Sequence, residues 1–414
     1  MKFSPIPGVL VLLVTACSYE QVPSIAREDL QTLQIGALED QIDLYKLEGS
    51  RNIPKTAIAM RDGLFYISNG NGKKIVRYTS YGDLLFMIYN EETNPPPRTL
   101  RTNIEAGEVV TRWAYTYPLL EPGVITVDSR KHIYVEDRLP YERHGLDTES
   151  RALLDSLVLH FDETGRFVEY LGQEGVGGTP FPRISGVYTS VDDELAVVCR
   201  LPTGWNVYWF DTEGFLLYLI HLGNDGIPVP QDRSEVFPSV DTVMASPDGR
   251  RLFIKVDYYR NIFDESTNTR SGAESDSSVV WVMDVENSVY IDSIEVPFFE
   301  YAPDESGRRG PEKLLYSMMG VIKNNRVFLS FPVDGGYSLL ILAGGAQDSG
   351  GAGRIVSAAS AEQRRAFVRV DNEELQFNTF SVSENGILSG LLATEHEAHL
   401  VWWRTDRLAG ELAP

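Results

Sequence analysis

The sequence predicts an all-β protein, a six-bladed β-propeller built from four-stranded antiparallel blades, and the main reason is a sequence repeat. Each repeat consists of an apolar strand, a tight polar turn and a second apolar strand. A unit of this kind cannot bury its apolar face alone, so its copies are expected to stack side by side. The second strands recur through the 414 residues, starting at these positions: Phe65, Ile133, Leu195, Leu252, Val327 and Ile387.

The composition of the turns within these repeats is the second observation that predicts the fold. Their residues are polar or glycine, which are the types that favour tight turns. Asp bonds its own backbone in such turns, so turn chemistry is predicted to explain Asp62, Asp128, Asp192 and Asp248. The six turns are Arg61-Asp62-Gly63, Ser129-Arg130-Lys131, Asp192-Asp193-Glu194, Pro247-Asp248-Gly249, Lys323-Asn324-Asn325 and Ser383-Glu384-Asn385-Gly386.

A third observation comes from the second half of each blade. In blade two, apolar runs predict strands at 124–127, 133–136, 157–161 and 167–171. A short polar turn then joins the third strand to the fourth. In the first three blades this turn ends in Gly82, Gly165 and Gly214, where a positive φ is expected.

The ring is predicted to close when an N-terminal strand joins the last blade. The apolar residues of 40–49 suggest that this segment pairs with the final strand, 399–404. The domain boundaries that follow are a leader over 1–16, a lipidated N-terminus and tether over 17–38, and one propeller domain over 39–414.

The first residues predict export and a lipid anchor. Lys2 precedes the apolar run 9–14, which is far shorter than the roughly 20 residues that span a bilayer. The run ends in Val14-Thr15-Ala16-Cys17, which resembles a bacterial lipobox, and Cys17 is the predicted lipidation site. An ordinary cleaved signal is the alternative. Ser18 favours the outer membrane, with the leaflet left open.

Charge and cysteine content narrow the function classes. The formal net charge is −22, which opposes binding to nucleic acid. Cys199 is the one cysteine besides Cys17, so no intramolecular disulfide is expected once Cys17 carries lipid. Because Cys199 lies in an apolar strand, it is predicted to be a core residue.

Long inserts indicate where a partner would bind. Alternating strand direction places them on one rim of the propeller, at 91–112, 138–155, 222–238, 258–278 and 298–312. Mere tolerance of surface length is the alternative. Ser266 to Ser278 is rich in Ser, Thr and Asn and is predicted to be a mobile loop. The predicted partner-binding residues, of types common in contact anchors, are Arg138, Tyr141, Arg143, His144, Tyr258, Tyr259 and Arg260.

The mouth of the central channel is a second candidate site. Lys55, Glu121, Arg183 and Asp241 lie just before predicted first strands. Their mixed charges suit either a small polar ligand or a solvated rim.

No residue pattern matches a strong catalytic or cofactor motif. His396-Glu397-Ala398-His399 has one residue too few between its histidines for the zincin spacing, and it falls in a predicted hairpin. The glycine-rich stretch 344–353 lacks the Lys-Ser/Thr of a phosphate-binding loop and is predicted to be flexible. No catalytic residue, metal ligand or cofactor is predicted, and enzyme activity is left open as the less favoured interpretation.

The run from Leu64 to Tyr78, with its Asn-Gly hairpin, and the run from Leu157 to Leu171 resemble NHL-type propellers. The similarity covers about 53–222 and weakens in blades four to six. With the lipobox, the chain also resembles uncharacterised propeller lipoproteins of spirochaete-type bacteria. This resemblance implies a six-bladed propeller in the cell envelope.

The sequence therefore favours a membrane-anchored extracytoplasmic lipoprotein that binds or scaffolds a protein partner through its long-insert rim. One alternative is a propeller hydrolase or lactonase with a site at the channel mouth. The other is a receptor for a small ligand or glycan.

Overall fold

The computed structural model describes residues 22–45, 55–103, 110–230, 235–300, 313–343, 362–371 and 374–410. Six sheets of four or five strands form its blades, and the first strands of successive blades contact one another around a closed circle. The predicted six-bladed β-propeller is therefore confirmed. The predicted leader, Cys17, Ser18 and the stretch 344–353 lie outside the described residues.

The strands follow the chain in blade order. Three N-terminal strands come first: β1 (Ser24–Ile25), β2 (Arg27–Ile35) and β3 (Gln41–Ile42). Blade one contains β4 (Thr56–Arg61), β5 (Leu64–Asn69), β6 (Lys74–Thr79), β7 (Leu84–Tyr89) and β8 (Trp113–Thr116). Blade two contains β9 (Ile125–Val127) and β10 (Ile133–Arg138); after an insert that holds β11 (Gly145–Leu146) and β12 (Leu153–Leu154), it continues with β13 (Ser156–Phe161), β14 (Phe167–Gly172) and β15 (Gly175–Val176).

The remaining blades repeat the plan. Blade three contains β16 (Ile184–Thr189), β17 (Leu195–Leu201), β18 (Gly204–Phe210) and β19 (Leu216–Gly223). Blade four contains β20 (Val236–Ala245), β21 (Arg251–Phe263), β22 (Arg270–Asp284) and β23 (Val289–Val296). Blade five contains β24 (Ser317–Ile322), β25 (Arg326–Val333), β26 (Gly336–Ala343) and β27 (Gln363–Arg369), and blade six contains β28 (Phe377–Val382), β29 (Leu388–Ala393) and β30 (Glu397–Trp403) before the short helix α1 (Asp406–Gly410).

The second strands begin within one residue of their predicted positions. They are buried on both faces, as in β29, where all six residues are buried, because each blade is sandwiched between two others. The turn glycines are also as predicted, since Gly82, Gly165 and Gly214 have φ of 82°, 84° and 79°.

The hydrophobic core lies between blades. Six main clusters each combine residues of two neighbouring blades, and the largest joins blades three and four through residues such as Trp209 and Trp281. Cys199 is fully buried between blades two and three, so its predicted core role is confirmed. Burial raises the pKa of its thiol.

Ring closure uses an N-terminal strand, but the predicted segment was wrong. β2 pairs antiparallel with β30, from Arg27 opposite Trp403 to Gln34 opposite Glu397, and so supplies the fourth strand of blade six. Within the described part of the predicted segment, 40–45, β3 alone forms a strand, a short parallel addition to β2. We predicted that β2 belongs to the tether because most of its residues are polar. An outer blade strand buries one face only, and here Leu33 is buried while Glu28 and Gln34 are exposed.

Candidate partner-binding rim

The two ends of the propeller differ in the length of their connections. One end, named here the short-turn rim, contains the turns between first and second strands and between third and fourth strands. The other end, the long-loop rim, contains the connections between second and third strands and between blades. The described strands that flank each predicted insert start and end at the long-loop rim, which follows from the alternating strand direction.

The short-turn rim is closed by bonds between neighbouring blades. Lys131 Nζ lies 2.8 Å from Asp62 Oδ2, and Arg250 Nη2 lies 2.6 Å from Glu194 Oε1. Turn chemistry alone was therefore an incomplete explanation of the turn acids, because Asp62 also reaches the next blade. The other junctions are bridged by Ser129 N to Asp193 Oδ1, Asn324 N to Asp248 Oδ2, Lys323 Nζ to Glu384 Oε1 and Arg61 Nη1 to Glu384 Oε2.

The central channel opens towards this rim with little free charge. Its cavity of about 300 Å³ is lined by first-strand residues such as Met60, Tyr188 and Val382. Among the described lining residues, Glu384 is the one carboxylate, and it lies 3.1 Å from Arg61 Nη1. The described channel therefore presents apolar and hydroxyl groups.

Two ordered projections stand on the long-loop rim. The insert 138–155 contains a one-turn 3-10 helix, Tyr141–Arg143, and the β11–β12 hairpin. The insert 258–278 extends blade four, because β21 and β22 stay paired as far as Phe263 opposite Arg270. The prediction of a mobile loop over Ser266 to Ser278 was wrong from residue 270 onward. Its Ser-rich strand is paired along its length with β21, which supplies apolar residues to the pair.

The predicted contact residues of the first insert lie at different depths. Tyr141 is 84% exposed, and Arg143 is also exposed. His144 is half-buried and donates a hydrogen bond from Nε2 to Leu139 O at 2.9 Å. Arg138 is half-buried, with Nε 3.8 Å from Glu121 Oε2. Of the four predicted contact residues in this insert, Tyr141 and Arg143 are the exposed ones.

The predicted contact residues of the second insert also differ in exposure, and Tyr258 was wrongly placed at the surface. Tyr258 is fully buried, accepts a hydrogen bond from Trp281 Nε1 at 2.8 Å and donates one to Pro228 O at 2.5 Å, so it cannot be a surface contact. Burial raises its pKa to about 12. Tyr259 is half-buried against Phe237, and Arg260 is exposed beside Asp276. The Tyr-Tyr-Arg pattern did not reveal this difference because strand alternation turns neighbouring side chains to opposite faces.

The predicted channel-mouth residues separate into two places. Lys55 Nζ lies 2.6 Å and 2.7 Å from the two carboxylate oxygens of the buried Glu136, and it also donates to Ile184 O at 3.0 Å. Asp241 lies elsewhere, at a bulge inside β20, and not before it as predicted. Its carboxylate is 3.2 Å from Nζ of the buried Lys255.

Asp137 anchors the backbone next to Glu121. Its carboxylate accepts bonds from Glu121 N at 2.7 Å and Leu120 N at 3.1 Å. Desolvation raises the pKa of this buried carboxyl to about 7, although the backbone donors act in the opposite direction. Sequence reasoning missed both Glu136 and Asp137, because adjacent acids at the end of a strand carry no signal of burial.

Lys55 and Arg183 do come together, in a pocket of about 580 Å³ on the long-loop rim. Blades one, two and three and the β11–β12 hairpin form its walls. Sequence reasoning found three of its cationic residues and missed Arg151 and Arg200, which are far apart in the chain. The charged residues that line the pocket are Lys55, Glu136, Arg138, Arg151, Asp155, Arg183 and Arg200.

The remaining sequence motifs have structural explanations. His396-Glu397-Ala398-His399 spans the turn into β30 and its first residues, as the predicted hairpin requires, and His399 Nδ1 lies 3.2 Å from Thr32 Oγ1. No group of three or more His, Cys, Asp or Glu among the described residues is arranged to hold a metal ion. Within the same residues, no helix has the length and apolar character needed to cross a membrane.

Comparison with protein-family models and with curated proteins gives no match. Solved structures that share low similarity include the polysaccharide lyase Uly1, with TM-score 0.40 and 9% identity over 92% of this chain and 99% of that chain. Hydrazine synthase of Kuenenia stuttgartiensis has TM-score 0.39 and 13% identity over 89% and 82%, and a luciferin-regenerating enzyme has 0.33 and 8% over 84% and 90%. Similarity this low carries no information about the chemistry of the chain.

Proposed function

We propose that this propeller is a protein-binding module whose partner docks on the long-loop rim. The observation that carries the proposal is the asymmetry between the two rims. Neighbouring turns of the short-turn rim are joined by ion pairs and backbone bonds, whereas the long-loop rim carries the five predicted inserts, and two of these are ordered projections. In repeat proteins, inserts gathered on one face usually form the binding face.

Exposed apolar and aromatic side chains at the ends of both projections support this proposal. Tyr141 is 84% exposed, Leu146 66% and Phe263 53%. Exposed apolar groups favour aggregation unless a partner covers them, and aromatic residues are enriched at the centres of protein interfaces.

We further propose that the module acts in a bacterial cell envelope, most simply at the outer membrane. Cys17 would carry lipid and residues 18–21 would tether it, since β1 begins at Ser24 and already belongs to blade five. The lipobox-like Val14-Thr15-Ala16-Cys17 and the NHL-like repeats support this assignment. More than one acyl chain is needed for stable anchoring, which lipoprotein processing supplies.

A matched pair of exposed tyrosines tests the docking surface. Tyr141 lies on the long-loop rim and Tyr81, 90% exposed, lies on the short-turn rim. Crosslinking pull-downs from native envelopes would compare wild type with Tyr141→Ala, Tyr81→Ala and a variant in which a two-residue turn replaces 261–272. We expect one protein to be captured by wild type and Tyr81→Ala and to be lost from the trimmed variant and reduced with Tyr141→Ala. Equal capture by all four proteins, or no capture, would contradict the proposal.

The anchor has its own test. Cys17→Ala should abolish labelling with a palmitate analogue and move the protein from the membrane fraction to the soluble fraction. Cys199→Ala is the control, because its buried thiol should not affect labelling. Labelling that persists in Cys17→Ala would refute lipidation at this residue.

A further inference from the structure

We infer that the arginine-lined pocket on the long-loop rim binds the carboxylates of an acidic segment in the partner protein. This inference rests on the proposed function, because it names the chemistry of the partner at the same rim. The pocket lies where blades one to three meet the β11–β12 hairpin, and its volume is about 580 Å³.

The charge of the pocket opposes that of the chain. Five cationic residues and two acids line it, in a protein whose formal net charge is −22. Both acids are already bonded. Glu136 holds Lys55 and accepts a bond from Val124 N at 3.1 Å, and Asp155 accepts one from Ser156 Oγ at 3.0 Å. Among the described residues, neither acid forms an ion pair with an arginine of the pocket, and the cationic residues outnumber the acids.

Three arginines make no ion pair with any residue that the structure describes: Arg151, Arg183 and Arg200. All three are exposed. Arg200 extends from the end of β17, with its guanidinium carbon 5.4 Å from the centre of the Trp205 ring. Cation–π contact leaves the hydrogen-bonding edge of a guanidinium free for a carboxylate.

The backbone forces two of these arginines together. Arg200 N donates to Arg183 O at 2.9 Å, one step beyond the pair of Ile184 and Cys199 in the register of β16 and β17. Like charges opposite each other on neighbouring strands are destabilising. A bound carboxylate would offset this repulsion and could accept from both guanidinium groups, which bind carboxylates in a bidentate manner.

The walls of the pocket favour a protein segment over a free small acid. Small-molecule sites are mostly apolar and bury most of the ligand surface, whereas the guanidinium groups here are exposed. Leu146 and Leu153 of the adjoining hairpin are 66% and 50% exposed. An acidic segment with an apolar side chain would satisfy both features. A long polyanion would instead extend beyond the pocket and be repelled by the net negative charge of the protein.

The test uses the full chain and a labelled peptide containing four glutamates and one leucine, followed by fluorescence anisotropy. The variants are Arg183→Ser, Arg200→Ser and the double variant, and Arg364→Ser on the outer strand of blade five is the matched control. We expect each pocket substitution to weaken binding about tenfold, as for loss of one charge-assisted pair, and the control to have no effect. Thermal unfolding of each variant shows that the propeller is intact.

Three results would overturn the inference. They are equal binding by the double variant, equal binding of a peptide with glutamine in place of glutamate, and competition by free glutarate as strong as that by the unlabelled peptide. The last would assign the pocket to a small acid.

The pull-down with the double variant separates this inference from the proposed function. If the partner is lost with the trimmed 261–272 hairpin but retained by the double variant, docking stands and the acidic-segment inference fails. If no partner is captured by wild type, the proposed function fails, and the peptide titration still decides whether the pocket binds carboxylates.

Discussion

The two rims of this propeller differ in how some of their arginines are paired. On the short-turn rim, Arg61 and Arg250 each reach an acid on a neighbouring blade. On the long-loop rim, Arg183 and Arg200 have no such partner among the described residues. The difference shows that the context across the blade junction decides whether an arginine holds the fold together or remains available to a ligand.

Weakening the closure of the ring should have the largest effect on stability, because β2 holds blade six together with blade one. Leu33 of β2 is 1% exposed and packs in the cluster between blades six and one. Leu33→Ala should lower the free energy of unfolding by about 2 to 5 kcal/mol because it leaves a cavity. Urea denaturation measures this, with the exposed Gln34→Ala as the control. Identical midpoints for the two variants would refute closure by β2.

Asp137, on the long-loop rim, should contribute to the pH dependence of stability. The pKa of Asp137 is raised to about 7 in the fold from about 3.8 in the unfolded chain. The native state therefore keeps a proton that the unfolded chain releases, and the contribution of Asp137 to stability falls as the pH rises from about 4 to 7. Asp137→Asn should flatten this fall, which is on the order of a few kcal/mol. Melting temperatures of both proteins from pH 4 to 8 test it; parallel curves would contradict it.

Two acids on the short-turn rim test whether ion pairs between blades stabilise the propeller. Glu384 is 15% exposed at its side chain and contacts both Arg61 and Lys323, whereas Glu286 is 51% exposed and contacts Arg250. Glu384→Ala should cost about 2 kcal/mol, because it leaves a half-buried arginine unpaired. Glu286→Ala should cost less than about 1 kcal/mol. Equal losses in chemical denaturation would argue against the ring.

The smallest effect on stability is expected at the tip of the first insert. Tyr141→Ala should change the free energy of unfolding by no more than about 0.5 kcal/mol, because the side chain is 84% exposed. Thermal unfolding measures this beside partner capture. A large loss of stability would mean that Tyr141 is part of the fold and is not a docking residue.

The sequence repeat was sufficient to predict the blades, but not the position of every strand and side chain within them. Strands β5, β10 and β17 begin within one residue of the positions that the apolar runs predict, because burial on both faces requires continuous apolar sequence. β2 escaped prediction because an outer strand needs one apolar face, and its exposed polar residues resemble a tether. Tyr258 was assigned to the surface because Tyr and Arg are common in contact anchors, although strand pairing turns it into the core.

The sequence by itself therefore determined the number of blades, the turn positions and the rim that carries the inserts, since these depend on local periodicity and turn chemistry. The tertiary structure alone decided which charges meet. Lys55, Glu136, Arg151, Arg183 and Arg200 come from three blades and an insert, and their distances depend on how the blades pack. Electrostatic interactions depend on distance and burial in three dimensions, so no spacing along the chain encodes them.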